Sequence, residues 1–177
     1  MKHIMIDLET LGIQADAAII AIAAVEFDPV TGESEAQFYT EISRESCWAL
    51  GMSVSQSTLD WWAKQGPEAQ AVLDPLYPFT ITKALTELSD FIKDVVQADD
   101  ITIWAHGSFD PVLLDSAYNK IKVKTPWPYW APKDIRTLQY LAGKVDVGEF
   151  VGTSHKAIDD CYHQIKYVTA MLAKVKL

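Results

Sequence analysis

KHIMIDLET, residues 2–10, is an apolar, β-prone run that closes on two carboxylates, and AAIIAIAAVEFD, residues 17–28, is a longer, almost unbroken apolar run. Runs of this kind read as buried strands, because a strand covered on both faces is apolar at both parities. A turn at 29–32 ends the second run. Residues 38–42 then alternate apolar and polar, as a third strand paired back on the second in a hairpin does. The chain opens as a β-meander.

Beyond Ser55 the period becomes helical. A capping serine or threonine precedes LDWWAKQ, and Gly66-Pro67 ends or interrupts that helix. After PLYPFT, residues Leu85, Leu88, Ile92 and Val95 make one apolar stripe that stops at Asp99-Asp100. ITIWA, residues 101–105, reads as a buried strand. A helix over 109–121 is entered through Asp110-Pro111, where proline in the first turn does no harm. The segment 122–133, KVKTPWPYWAPK, cannot be helix; Asp134 caps a further helix, IRTLQYLAG, and Thr153 or Ser154 opens the last, which runs almost to Leu177. The order β-β-β-α-α-β-α-α-α predicts a mixed sheet with helices on its faces and central strands that carry residues to a common edge.

A chain of 177 residues, 49% of them hydrophobic, is expected to form one domain over 1–177. It has no apolar run near the ~20 residues a bilayer requires and no signal-peptide pattern, so a cytoplasmic protein with no membrane partner is expected. Cys47 and Cys161 form no paired framework and read as buried thiols. The net charge of −9 disfavours a broad grip on duplex nucleic acid. Residues 1–60 hold ten acids and two bases, whereas residues 119–177 hold five acids and ten bases, so a polyanion would approach the C-terminal part.

Three segments carry chemistry. In Asp7-Leu8-Glu9-Thr10, strand alternation sends both carboxylates to one side, within reach of one cation or a pair. Asp110 follows the ITIWA strand just past Gly107, where an acid is otherwise a helix cap. In SHKAIDD, His155 precedes Asp160 by five residues; on one helix that places them about 140° and about 7.5 Å apart, flanking a centre from two angles. Asp159 beside Asp160 leaves the acid ambiguous.

Taken together, these motifs resemble the DEDD superfamily of 3'-5' exonucleases, in the histidine-containing DEDDh branch that includes RNase T, oligoribonuclease and polymerase proofreading subunits. The segments TLDWWAKQGPEAQ and KDIRTL are similar to a subgroup of small phage and bacterial exonucleases and the related exoribonuclease domain. Where that subgroup carries Trp-Gly-Asn-Gly, this chain reads Trp104-Ala105-His106-Gly107-Ser108, which puts His106 in the asparagine's place. The resemblance implies an RNase H-like mixed five-stranded sheet flanked by α-helices, and hydrolysis of phosphodiesters from the 3' end of single-stranded DNA or RNA. It assigns Asp7, Glu9, Asp110 and Asp160 as ligands of two Mg2+ or Mn2+ ions and prefers Asp160 to Asp159. It makes His155 the general base and admits a homodimer.

The residue types suit that chemistry. Four converging carboxylates repel one another unless cations occupy the site, and hard oxygen ligands select magnesium or manganese. Two ions about 4 Å apart can activate a water and stabilise the leaving oxygen. Histidine is the side chain that exchanges a proton near neutral pH. By position, Thr10, Leu11, His106 and Phe109 are candidate substrate contacts; Trp61 and Trp62 point about 100° apart on a helix, so one can be core while the other faces the cleft, and a purely structural role stands open for either. His3 and His163 read as structural or surface residues. Rival readings are a zinc site from His155, Cys161 and His163, an RNase H-like endonuclease, and a non-catalytic module that binds nucleic-acid ends or assists proofreading.

Overall fold

A computed structural model describes residues 1–95 and 100–175. Strands β1 (Lys2–Thr10), β2 (Ile19–Phe27) and β3 (Ser34–Glu41) form the meander. All nine residues of β2 are buried, as its unbroken apolar run requires. The hairpin between β2 and β3 turns on Gly32, at φ 77°, with the Asp28 carboxylate accepting from the amides of Val30 and Thr31.

Helices α1 (Arg44–Ala49), α2 (Gln56–Trp62), α3 (Pro67–Gln70) and α4 (Ile81–Val95) follow, with one 3-10 turn at Ala71–Leu73. Gly66-Pro67 acts as a break: α2 stops before it and Pro67 begins α3. The acidic pair that was to end α4 includes Asp99, which lies outside the described residues. Strand β4 (Ile101–Ala105) leads into α5 (Phe109–Lys120); β5 (Pro132–Asp134), α6 (Ile135–Ala142) and α7 (Ala157–Val175) complete the chain. Asp134 caps α6 as expected, its Oδ1 accepting from the Arg136 amide at 2.8 Å. The helices α1 and α3, the 3-10 turn and β5 are additions to the predicted order of elements.

The sheet runs β3-β2-β1-β4-β5, antiparallel from β3 to β1 and parallel from β1 to β5. Parity in β1 divides the core. Ile4, Ile6 and Leu8 face the larger cluster under α1 to α5, and Met5 faces a second cluster built from Trp104, α6 and α7. Because β1 and β4 are parallel and adjacent, their C-terminal ends share one edge of the sheet, and the loops that leave those ends meet there. No helix among the described residues is long and apolar enough to cross a membrane.

Candidate active site

Asp7 and Glu9 continue the stripe that Met5 begins, on the face covered by α7. Directly opposite them on β2 stand Ala23 and Ala21, whose small side chains leave space above the carboxylates. The register shifts between Glu9 and Thr10, a bulge that ends regular pairing at the site. Helix α7 buries Ala157, Cys161, Ile165 and Val168, and this packing brings Asp160, in its first turn, over the end of β1. Carboxylate oxygens of Asp7, Glu9 and Asp160 all lie within 4.8 Å of one another. Asp110 comes from the first turn of α5 at the neighbouring strand end and is 4% exposed.

The electrostatics of this cluster are unfavourable without a counter-charge. Burial, followed by the charges of Asp110, Glu9 and Asp160, pushes Asp7 well above the usual carboxylate range. Glu9 is pushed up to about 8, by burial first and then by Asp160 and Asp110. Burial takes Asp110 up to about 7 although amides of Asp110 and Leu8 and the charge of Arg136 oppose it. Asp160 is raised by burial as well, against the pull of His155. Among the described residues no basic side chain comes within 4.0 Å of any of the four. One amide side chain helps: Gln164 Nε2 donates to Asp7 Oδ1 at 2.7 Å. Buried and half-buried carboxylates that repel one another and have no basic partner fit a divalent metal ion.

His155 sits differently from the helical expectation. Helix α7 begins at Ala157, so His155 belongs to the preceding turn and adopts φ 64°, and the 140° separation does not apply. Neither Thr153 nor Ser154 caps the helix through its side chain; the acids of the first turn reach back instead. Asp160 Oδ2 accepts from the His155 amide at 3.0 Å, and Asp159 Oδ2 accepts from the Thr153 amide at 2.8 Å. The two neighbouring acids are thereby distinguished: Asp159 ties down the turn and Asp160 joins the cluster. Gly152, at φ 112°, is required here, since a Cβ on it would stand 2.7 Å from the Asp159 carboxyl carbon. The zinc alternative does not assemble, because Cys161 is buried with its thiol towards the Met5 carbonyl and the His163 ring packs on Phe150 and Tyr167. His3 is held in the sheet, its Nδ1 accepting from Trp104 Nε1 at 2.9 Å.

Beside the acids runs a cleft of about 440 Å³ lined by Glu9, Thr10, Ile13, Trp61 and Phe109. Trp62 is the core member of the tryptophan pair, 1% exposed, with Nε1 donating to the Thr10 carbonyl at 2.9 Å. Trp61 is 40% exposed and lays its ring edgewise against His155, centroids 4.8 Å apart. Leu11 does not reach this cleft: its side chain is buried and its amide donates to the Ala18 carbonyl. His106 lies outside it too, lining an adjoining cavity of about 530 Å³ with Phe109 and Arg136. Gln164 was not anticipated, although its position four residues after Asp160 on one helix face is a legible signal. The packing of Trp61 on His155 had none.

A family model of the 3'-5' exoribonuclease Rv2179c-like domain matches residues 2–172. The exodeoxyribonuclease of Enterobacteria phage T4 is 28% identical over 163 residues, 77% of this chain and 70% of that protein. Among solved structures, the nuclease domain of 3'hExo, a DEDDh family member bound to rAMP, superposes with a TM-score of 0.66 at 16% identity, covering 97% of this chain and 91% of that one. Exonuclease I of E. coli in complex with a dT13 oligonucleotide superposes at 0.68 and 12% identity, over 98% of this chain and 41% of that one. At these identities the two structures speak for the fold, which is the RNase H-like fold of DEDDh exonucleases. With its family model spanning nearly the whole sequence, the chain belongs to the 3'-5' exoribonuclease Rv2179c-like domain family and is an exonuclease.

Proposed function

We propose that this chain acts as one domain that removes nucleotides from the 3' end of single-stranded nucleic acid, with Asp7, Glu9, Asp110 and Asp160 holding two Mg2+ or Mn2+ ions and His155 as the general base. The observation that carries the reading is the cluster of Asp7, Glu9 and Asp160 oxygens within 4.8 Å of one another, without a basic partner, at the mouth of an aromatic cleft. When bound, the ions would lower the pKa of a water and offset charge on the phosphodiester. The protein's own part is positional. Gln164 orients Asp7, Asp160 fixes the turn that presents His155, and the Trp61 ring edge limits where the imidazole can turn. From there His155 would accept the proton of the attacking water. Thr10, Phe109 and Trp61 would receive the terminal nucleotide, since stacking on an aromatic tolerates any base.

The sugar preference is not fixed by any of these groups: a 2'-hydroxyl contact would mark RNA, and the relatives include an exoribonuclease family and an exodeoxyribonuclease. Digestion of 3'-labelled and 5'-labelled DNA and RNA oligomers, with magnesium, manganese or chelator, tests the reading. Mononucleotide release from the free 3' end, only with metal, is expected. Cleavage of a circular single strand, or release from the 5' end, would overturn it.

A further inference from the structure

The face that must receive a polyanion carries four carboxylates in a protein of net charge −9. Metal ions offset charge at the scissile phosphate, but the phosphates 5' to it need a counter-charge of their own. The lysines at the end of α5 do not supply it. Lys120 donates to the carbonyls of Leu50 and Gly51, and Lys122 and Lys124 follow the far end of a twelve-residue helix that begins next to Asp110, about 18 Å away.

Arg136 is placed otherwise. The residue is exposed, and its guanidinium makes no salt bridge or side-chain hydrogen bond among the described residues and lies 3.9 Å from where a Cβ on Gly107 would stand. It lines the cavity of about 530 Å³ with His106, Ile13 and Phe109, and the last two also line the cleft beside Glu9. The two chambers thus have Ile13 and Phe109 in common. A strand whose last nucleotide lay in the first chamber would pass the guanidinium if it left by way of the second. The planar fork of arginine matches phosphate oxygens. Burial, and then the charge of Arg136, lowers the pKa of His106, whose ring N–H can donate to a phosphate oxygen.

We propose that Arg136, with His106 beside it, forms a phosphate-binding subsite that grips the strand one linkage to the 5' side of the scissile bond. This rests on the exonuclease reading above. The test uses pentanucleotides carrying a single uncharged methylphosphonate at each linkage in turn, with the wild type, Arg136→Gln and Arg136→Lys. Neutralising the gripped linkage should lower kcat/KM about tenfold in the wild type, the effect of one charge-assisted hydrogen bond, and less than twofold in Arg136→Gln. Arg136→Lys, which keeps the charge but not the fork, should fall between them. The slope of log affinity against log salt should drop by about one in Arg136→Gln. Equal losses in wild type and Arg136→Gln at every linkage would overturn the subsite. If the wild type degrades no oligomer, it is the exonuclease reading that fails. Fluorescence anisotropy with a labelled pentanucleotide then decides the subsite alone, and an unchanged Kd in Arg136→Gln would refute it.

Discussion

The two ends of the β1–β2 pair bury a glutamate to nearly the same depth and treat it in opposite ways. At one end Glu26, 5% exposed, bonds the Lys2 ammonium, which also reaches Glu35 at 3.4 Å. At the other end Glu9, 7% exposed, meets Asp160 and Asp7 and no basic side chain within 4.0 Å among the described residues. A buried carboxylate is tolerated when something offsets its charge. Where the chain supplies a lysine the charge is offset from within; where it supplies only more acids, burial and those acids push Glu9 up to about 8. The contrast marks Glu9 as the acid that would gain from a bound cation, the role proposed for it above, without reference to any relative.

Under the proposed ligand assignment Asp7→Asn should strike the unpaired end hardest, because it removes a charge on which metal binding would depend. Turnover should fall by on the order of 1,000-fold and calorimetry should show weakened binding of manganese; full activity with normal metal binding would end the ligand assignment. His155→Ala should lower turnover by about 100-fold with metal affinity retained, since a proton acceptor and a ligand fail differently. Lost metal affinity in that variant would make His155 a ligand instead.

A smaller effect should appear in pH dependence. Folded-state values of about 8 for Glu9 and about 7 for Asp110 lie above those of the unfolded chain, near 4. Groups raised in this way favour the fold below the unfolded value, and that contribution is lost as pH rises through the folded one. Metal-free protein should therefore lose stability between about pH 4 and about pH 8, and added magnesium should raise Tm more at pH 8 than at pH 5. A metal response equal at both pH values would contradict the electrostatic account. The smallest effect belongs to the paired end: Lys2→Met should lower Tm modestly and leave manganese affinity unchanged, and a change in that affinity would break the contrast between the two ends.

Much of this could be read from residues alone, for reasons that differ by element. The strands β1, β2 and β4 announced themselves as apolar runs, and Asp134 as a cap, because burial and capping are local properties of sequence. Strand β5 could not be read: Pro132–Asp134 is three residues long, holds a proline and exists because β4 offers it a parallel edge. The four acids and the histidine of the site were legible as a pattern, but the turn at His155 was not, since a positive φ is uncommon for any residue other than glycine and the helical period ran on through it. Leu11 misled because its neighbours in sequence line the cleft while its own side chain alternates into the core.

The hydrogen bond from the His155 amide to Asp160 closes the segment 155–160 into a small ring. The interval of five residues by which the motif is found in a sequence is therefore the circumference of that ring and not a helical repeat. A residue inserted between 155 and 160 would open it even though α7 could lengthen without strain. The same residue inserted between 143 and 150, in the loop before the turn, would leave the ring intact. A pattern search built on this spacing is in effect a search for a closed loop of backbone, and its tolerance for gaps should be set separately on the two sides of residue 155.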